Sequence, residues 1–339
     1  MPERGNPHGP WDNQRGGDVG ERVAAVAYAM GWTLIRVVPE RIGRAVFRLI
    51  AEVAWRRRTK GVRQLEANLR RVTGPGATEE RVRALSRAGM RSYLRYFYEM
   101  FRLPVMGRAI TDRTRATGIE VLEAHIRAGR GVVAALPHMG NWDHAGAWIT
   151  LRGIPLTTVA QRVRPESVFN RFMAFRTGLG MEVLPLTGSD GNNAGRLARQ
   201  LRGGRLVCLL ADRDLTAGGI EVTFFGEPAR MPAGPAALAE RTGAALMPVS
   251  LWYEGSEWRI RVHDEIPVPA EEDRPGKVRA MTQELARVFE GAIAEHPEDW
   301  HMLQRVFSAD LSEPATVEGR WSAPATEPLP RDPDGSRDG

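Results

Sequence analysis

The pattern that most restricts the fold is an alternation that begins at Gly131. Short apolar runs, many rich in Val, Ile or Leu, occupy 131–136, 156–160, 181–184, 206–211, 220–225 and 245–252. Stretches of helical spacing separate them at about 143–152, 166–177, 193–201, 235–242 and 276–294. The apolar runs have strand length, and the segments between them are long enough to carry the chain back over a sheet. The expected architecture is therefore α/β, with a central mostly parallel or mixed sheet flanked by helices.

Upstream, Ile42, Ala45, Val46, Leu49, Ile50, Val53 and Ala54 recur every three or four residues, with Arg41, Arg44, Arg48 and Arg56 to Arg58 beside them. This is an amphipathic basic helix. Two readings are open. The stripe packs on the core behind a solvated Arg face, or, together with the apolar run 23–35, it enters a membrane interface while arginine meets anionic head groups. A second helical pair follows at 62–71 and 79–102, split by Gly74-Pro75-Gly76. Its second member carries Tyr93, Tyr96, Phe97, Tyr98, Met100 and Phe101, an aromatic strip suited to a core or to the lining of a lipid site.

Charge sharpens the membrane reading. Between Arg36 and Arg102 there are 17 basic residues against 6 acidic ones, a local excess of 11 where the whole chain carries +6. Such a face suits phosphate or anionic lipid. A nucleic-acid module is disfavoured, because the arginines are interleaved with apolar helical positions and no DNA or RNA motif is present. The longest uncharged apolar stretch, 23–35, has 13 residues, short of the roughly 20 that span a bilayer. Residues 1–20 read as a disordered leader, 21–307 as a single catalytic domain whose helices over 21–104 associate with membrane, and 308–339 as a disordered tail. The lone Cys208 lies in an apolar run, which favours a reducing, cytoplasmic setting.

The chemistry concentrates in 131–148. An apolar run ends at Pro137-His138, and Gly140-Asn141-Trp142-Asp143 then opens a helix. Asn141 is a natural cap, and Gly140 lets the backbone approach a ligand closely. With His138 in the turn and Asp143 folding back from the first helical turn, the carboxylate is expected to hold one imidazole nitrogen and leave the other as a base toward a hydroxyl. The alcohol is then the nucleophile, with no covalent acyl-enzyme, and the helix N-terminus supplies donors to an oxyanion or phosphate. His144 is expected on the helix surface or behind the site. His263, His296 and His301 are read as structural, and no metal-ligand spacing is present.

The residues His138, Gly140, Asn141, Trp142 and Asp143 resemble the His-x-Gly-Asn-Trp-(Asp/Glu) block of the bacterial lipid A biosynthesis (lauroyl/myristoyl) acyltransferase superfamily. The likeness runs from about Ala24 to Gln304, through Val159 to Arg162, Ala211-Asp212-Arg213-Asp214, Val222 to Gly226, Met231-Pro232 and Pro297 to Trp300. The Asp-Arg-Asp-Leu form and the Phe-Gly block are most similar to the actinobacterial phosphatidylinositol mannoside acyltransferases.

That resemblance implies a glycerolipid acyltransferase-like fold at the cytoplasmic membrane face. It implies transfer of a fatty acyl chain, typically palmitoyl, from acyl-CoA to a mannose hydroxyl of a glycolipid acceptor, with no cofactor beyond that co-substrate. It makes His138 the proton acceptor, Asp143 its partner and Asp212 a second catalytic acid. Asn141, Trp142, Arg164, Arg176, Asp214 and Phe172 become substrate-binding residues, with Arg176 near the acyl donor or the acceptor phosphate. The alternative within the superfamily is a lipid A-type transfer from acyl carrier protein. The sequence fixes no oligomeric state.

Overall fold

A computed structural model describes residues 34–160, 166–185, 193–214 and 218–311. The expected leader, most of the apolar run 23–35, and the chain from 312 onward lie outside the described residues.

After a helical stretch at 34–37 come α1 (Glu40–Arg56), α2 (Lys60–Thr73) and α3 (Glu79–Arg102). Thr59 and Thr78 cap α2 and α3 by accepting from the N–H groups of Val62 and Arg81. α1 crosses α3 closely because position 43 is glycine: a Cβ there would lie 2.6 Å from the Tyr98 ring. Ala51, Val62, Leu65, Leu69, Val82 and Met90 form the small apolar core among these helices.

A short helix α4 (Ala109–Asp112), strand β1 (Thr114–Thr117) and helix α5 (Ile119–Arg127) lead into the alternating region. There follow β2 (Val132–Leu136), α6 (Trp142–Leu151), β3 (Leu156–Ala160), α7 (Glu166–Gly178), β4 (Met181–Pro185), α8 (Asn193–Arg202) and β5 (Leu206–Leu210). A hairpin of β6 (Ile220–Phe224) and β7 (Glu227–Met231), then α9 (Gly234–Thr242), β8 (Ala245–Glu254), β9 (Glu257–Val262) and α10 (Arg274–Glu295) complete the regular elements.

Seven strands make one sheet in the order β1-β9-β8-β2-β5-β3-β4. All pairs are parallel except β8 with β9, so the sheet is mixed and the expected fold class holds. β2 is buried along its whole length, as a central parallel strand covered on both faces must be. One face packs on α8, α9 and α10, the other on α3, α5, α6 and α7, each over its own apolar cluster.

β6 and β7 join through a two-residue turn, Phe225-Gly226, with positive φ at both positions (48° and 78°). That is the hairpin geometry whose twist matches the strands, although phenylalanine is an unusual occupant of its first position. Ser308–Asp310, expected to begin the tail, instead form a 3-10 turn whose Asp310 carboxylate accepts two hydrogen bonds from Arg71, at 2.8 and 3.0 Å. Among the described residues no helix is long and apolar enough to cross a membrane.

Candidate active site

The site is assembled at the C-terminal ends of the central parallel strands, where α/β sheets present ligand-binding loops. β2 and β5 are neighbours in register Leu136↔Leu210. Two residues beyond each strand the chain reaches His138 on one side and Asp212 on the other, so this register alone sets the imidazole against the carboxylate. His138 Nδ1 lies 2.5 Å from Asp212 Oδ1, and the His138 backbone N–H donates to Oδ2 at 2.9 Å. Asp212 is fully buried, whereas the His138 side chain is 28% exposed. A carboxylate on Nδ1 fixes the proton there and leaves the Nε2 lone pair free to accept one.

This arrangement corrects one expectation. The partner of His138 is Asp212, not Asp143. The buried Asp143 carboxylate accepts instead from Arg176, at 2.6 Å from Nε and 3.1 Å from the terminal nitrogen, and from the Tyr96 hydroxyl at 2.8 Å. The physical reason is helix direction: from the first turn of α6 the Asp143 side chain points toward α3 and α7, while the strand register brings Asp212 to the imidazole. Burial alone would lower the Arg176 pKa, but Asp143 outweighs it and holds the guanidinium above its ordinary value. Burial likewise works to raise Asp212, and the His138 charge and the hydrogen bonds from His138 and Trp300 prevail, so its carboxyl sits below the ordinary range.

Asn141 caps α6 as expected: its Oδ1 accepts from the His144 N–H at 2.9 Å, and its Nδ2 donates to the buried Glu99 at 3.1 Å. Glu99 also accepts from the Trp258 indole and pairs with Arg95. Gly140 has φ of 58°, and a Cβ there would meet the Leu251 backbone at 2.7 Å, so only glycine fits this turn. The Trp142 ring lies 5.7 Å from the His138 ring and 4.2 Å from Tyr96.

Trp142 also lines a cavity of about 100 Å³ between α6 and the sheet, with Ala134, Leu136, Ile149, Cys208, Leu210, Ile260 and Val262. Asp143, Arg176 and Thr158 are its polar lining groups. Burial pushes the Cys208 thiol up to about 12, so it stays protonated. Phe172 is half-buried against the same apolar cluster. Asp214 donates its backbone N–H to Arg230 at 2.8 Å, on the hairpin side of the site. Arg164 lies outside the described residues.

His144 is not on the helix surface: it is buried, stacked on Trp258 at 4.0 Å and bonded to Thr114, and burial lowers its pKa to about 3. His296 stacks on Trp252, and His263 bonds to Ser250.

Several groups at the site escaped the sequence reading. Tyr96 stood in a strip that read equally as core or lipid lining. Trp300 stood only as a landmark of resemblance, yet its indole donates to Asp212 Oδ2 at 2.9 Å. Among the described residues no group of three His, Cys, Asp or Glu side chains could hold a metal.

At the C-terminal ends of the central strands the structure thus sets a histidine–carboxylate pair beside an apolar cavity. The chain belongs to the bacterial lipid A biosynthesis acyltransferase family, whose model matches residues 18–309. It is similar to the phosphatidylinositol mannoside acyltransferase of Mycolicibacterium smegmatis, 46% identical over 298 residues that cover 87% of this chain and 95% of that protein. Two Mycobacterium tuberculosis proteins of the same name are 47% identical over 292 residues, covering 85% of this chain and 89% of theirs.

Proposed function

We propose that this acyltransferase moves a fatty acyl chain, palmitoyl by preference, from acyl-CoA to a mannose hydroxyl of a phosphatidylinositol mannoside. The observation that carries the reading is the His138–Asp212 pair, buried on its carboxylate side, open at the imidazole and joined through Trp142 to an apolar cavity. The acceptor is inferred from the relatives' activity and from the Asp212 to Leu215 form.

The acceptor hydroxyl approaches His138 Nε2. As its oxygen attacks the thioester carbonyl carbon, the hydroxyl proton passes to Nε2 and Asp212 stabilises the resulting imidazolium. The tetrahedral intermediate collapses with cleavage of the C–S bond, and the imidazolium returns its proton to the departing CoA sulfur. An ester and a free thiol result. We assign the oxyanion to the backbone donors at the N-terminus of α6. The protonated Cys208 supports direct transfer over a covalent acyl-enzyme. The cavity offers the acyl chain about 0.8 kcal/mol for each methylene it buries. Asn141, Trp142, Arg176, Asp214 and Phe172 are the residues we assign to the substrate side, with Arg176 and Asp143 acting as one ion pair.

Delivery of so apolar an acceptor requires contact with a membrane. Ile42, Val46, Leu49, Ile50 and Val53 on α1 all face outward, Leu49 with 62% exposure, beside Arg41 and Arg48. This favours the interfacial reading of α1 over the core reading, and we place it against the anionic cytoplasmic face of the cell membrane, with 21–307 acting as one catalytic unit.

The test is acyl transfer with purified protein and His138→Ala, using acyl-CoA and acyl carrier protein as donors and both a phosphatidylinositol mannoside and a lipid A precursor as acceptors. The expected result is a loss of on the order of 10²–10⁴-fold in turnover with the melting temperature unchanged, and activity confined to CoA and the mannoside. Retained turnover in His138→Ala would overturn the base assignment. Preference for the carrier protein would move the chain to the alternative within its family.

A further inference from the structure

We infer that Trp300 is a positioning residue for the reaction, acting through Asp212 to aim and tune the His138 base. The inference rests on the reading of His138 given above.

Asp212 is a fully buried carboxylate with two oxygens to satisfy. Oδ2 takes two donors, the His138 backbone N–H and the Trp300 indole N–H, each at 2.9 Å. With Oδ2 occupied in this way, Oδ1 is the oxygen that meets His138 Nδ1. The indole thus selects the carboxylate rotamer, and with it the direction in which the imidazole presents Nε2. A donor on a buried carboxylate also disperses its charge, which moderates the pull of Asp212 on a protonated imidazole.

Trp300 is held accordingly. It has no exposed surface, and its segment is tied to the His138 turn along the backbone. The His301 N–H donates to His138 O at 2.7 Å, the Gly140 N–H donates to Asp299 O at 2.9 Å, and Met139 pairs with Trp300 in an antiparallel bridge. The segment is braced from behind. The Asp299 carboxylate accepts from Ser92 at 2.5 Å and from the Tyr253 N–H at 2.9 Å, and Asn68 donates to Met302 O at 2.8 Å.

The β6–β7 hairpin closes on the indole with Phe224 at 6.0 Å and Phe225 at 6.3 Å between ring centroids. Phe225 holds φ of 48°, a conformation that a bulky residue keeps only where its surroundings over-determine it. Here the packing of its ring against Trp300 supplies part of that constraint.

The experiment compares wild type with Trp300→Phe, which keeps an aromatic ring against Phe224 and Phe225 and removes only the donor. The readouts are kcat, KM, the pH profile of kcat/KM and the melting temperature. The other titratable groups that interact with the pair are His301, against His138, and Arg213, against Asp212. Both are present in both proteins.

The expected result is a fall of about tenfold in kcat with KM changed less than twofold, and an acid limb moved upward by about half to one pH unit, because an under-donated Asp212 holds the imidazolium more tightly. The melting temperature stays within a few degrees. Trp300→His, which returns a ring N–H, is expected to bring the acid limb back toward the wild-type position. An unshifted acid limb in Trp300→Phe, or loss of the fold in that variant, overturns the inference and makes Trp300 structural. Failure of the base reading is distinguishable, since it shows as turnover retained in His138→Ala.

Discussion

Helices α1 and α10 are written on the same apolar period and turn it in opposite directions. α10 buries Val278, Met281, Leu285, Ala286, Phe289 and Ile293 against the sheet and leaves the Arg287–Glu284 ion pair in solvent. α1 exposes Ile42, Val46, Leu49, Ile50 and Val53 and buries Glu52, which accepts from Arg87 at 2.8 Å and pairs with Arg91, both on α3. In α10 the apolar side makes the fold. In α1 the fold is made by glycine, alanine and an ion pair, and the apolar side is left for something else. Periodicity therefore identifies a helix without telling which side faces inward, and the position of a charge with partners decides.

The largest effect that separates the two helices is on stability. Leu285→Ala is expected to cost about 2–5 kcal/mol, because it opens a cavity at a fully packed position. Leu49→Ala on α1 is expected to stay within about 0.5 kcal/mol. Urea melts of the two variants check this, and a comparable loss at Leu49 would put the α1 stripe in the core.

Next in size is membrane affinity. Leu49→Ser with Ile50→Ser is expected to weaken binding to vesicles of anionic lipid by tenfold or more, since each large apolar side chain contributes about 1.5–3 kcal/mol when fully buried. Flotation with and without salt measures it, with the melting temperature as control.

The smallest effect belongs to Glu52. The hydrogen bond from Arg87, then burial acting against it, then Arg91 leave its pKa below the ordinary value. A depressed acid contributes stability above its unfolded pKa of about 4.3 and loses it as pH falls through the folded value. Glu52→Gln is thus expected to cost about 1 kcal/mol at neutral pH, with a difference from wild type that shrinks below about pH 4. A difference independent of pH would show that the ion pair does not hold α1 to α3.

Much of the fold was legible because the strands that matter are apolar throughout. All six apolar runs are strands, and the helices between them fall where the spacing places them. β1, β7 and β9 escaped notice. Thr114–Thr117 and Glu227–Met231 are short and polar, and in Glu257–Val262 arginines alternate with Trp258, Ile260 and Val262. α5 (Ile119–Arg127) was not foreseen either.

At the site, the turn holding His138 and the cap from Asn141 followed from local chemistry. The pairing of His138 did not. Residues 138 and 143 are near in sequence, whereas His138 meets Asp212 only because β2 lies beside β5, and strand order is not written in any local pattern. The Trp300 donor is further still from local reasoning, since it depends on the chain returning after α10 to the turn where His138 sits.

The central claim is that Asp212, rather than Asp143, supports the His138 base. It is tested most directly by steady-state acyl transfer in Asp212→Asn and Asp143→Asn measured side by side. The account predicts that Asp212→Asn loses on the order of 10²–10⁴-fold in kcat with KM little changed, while Asp143→Asn acts through Arg176 and the cavity and raises KM more than it lowers kcat. Near-normal kcat in Asp212→Asn, beside a folded Asp143→Asn protein with no turnover, would contradict it.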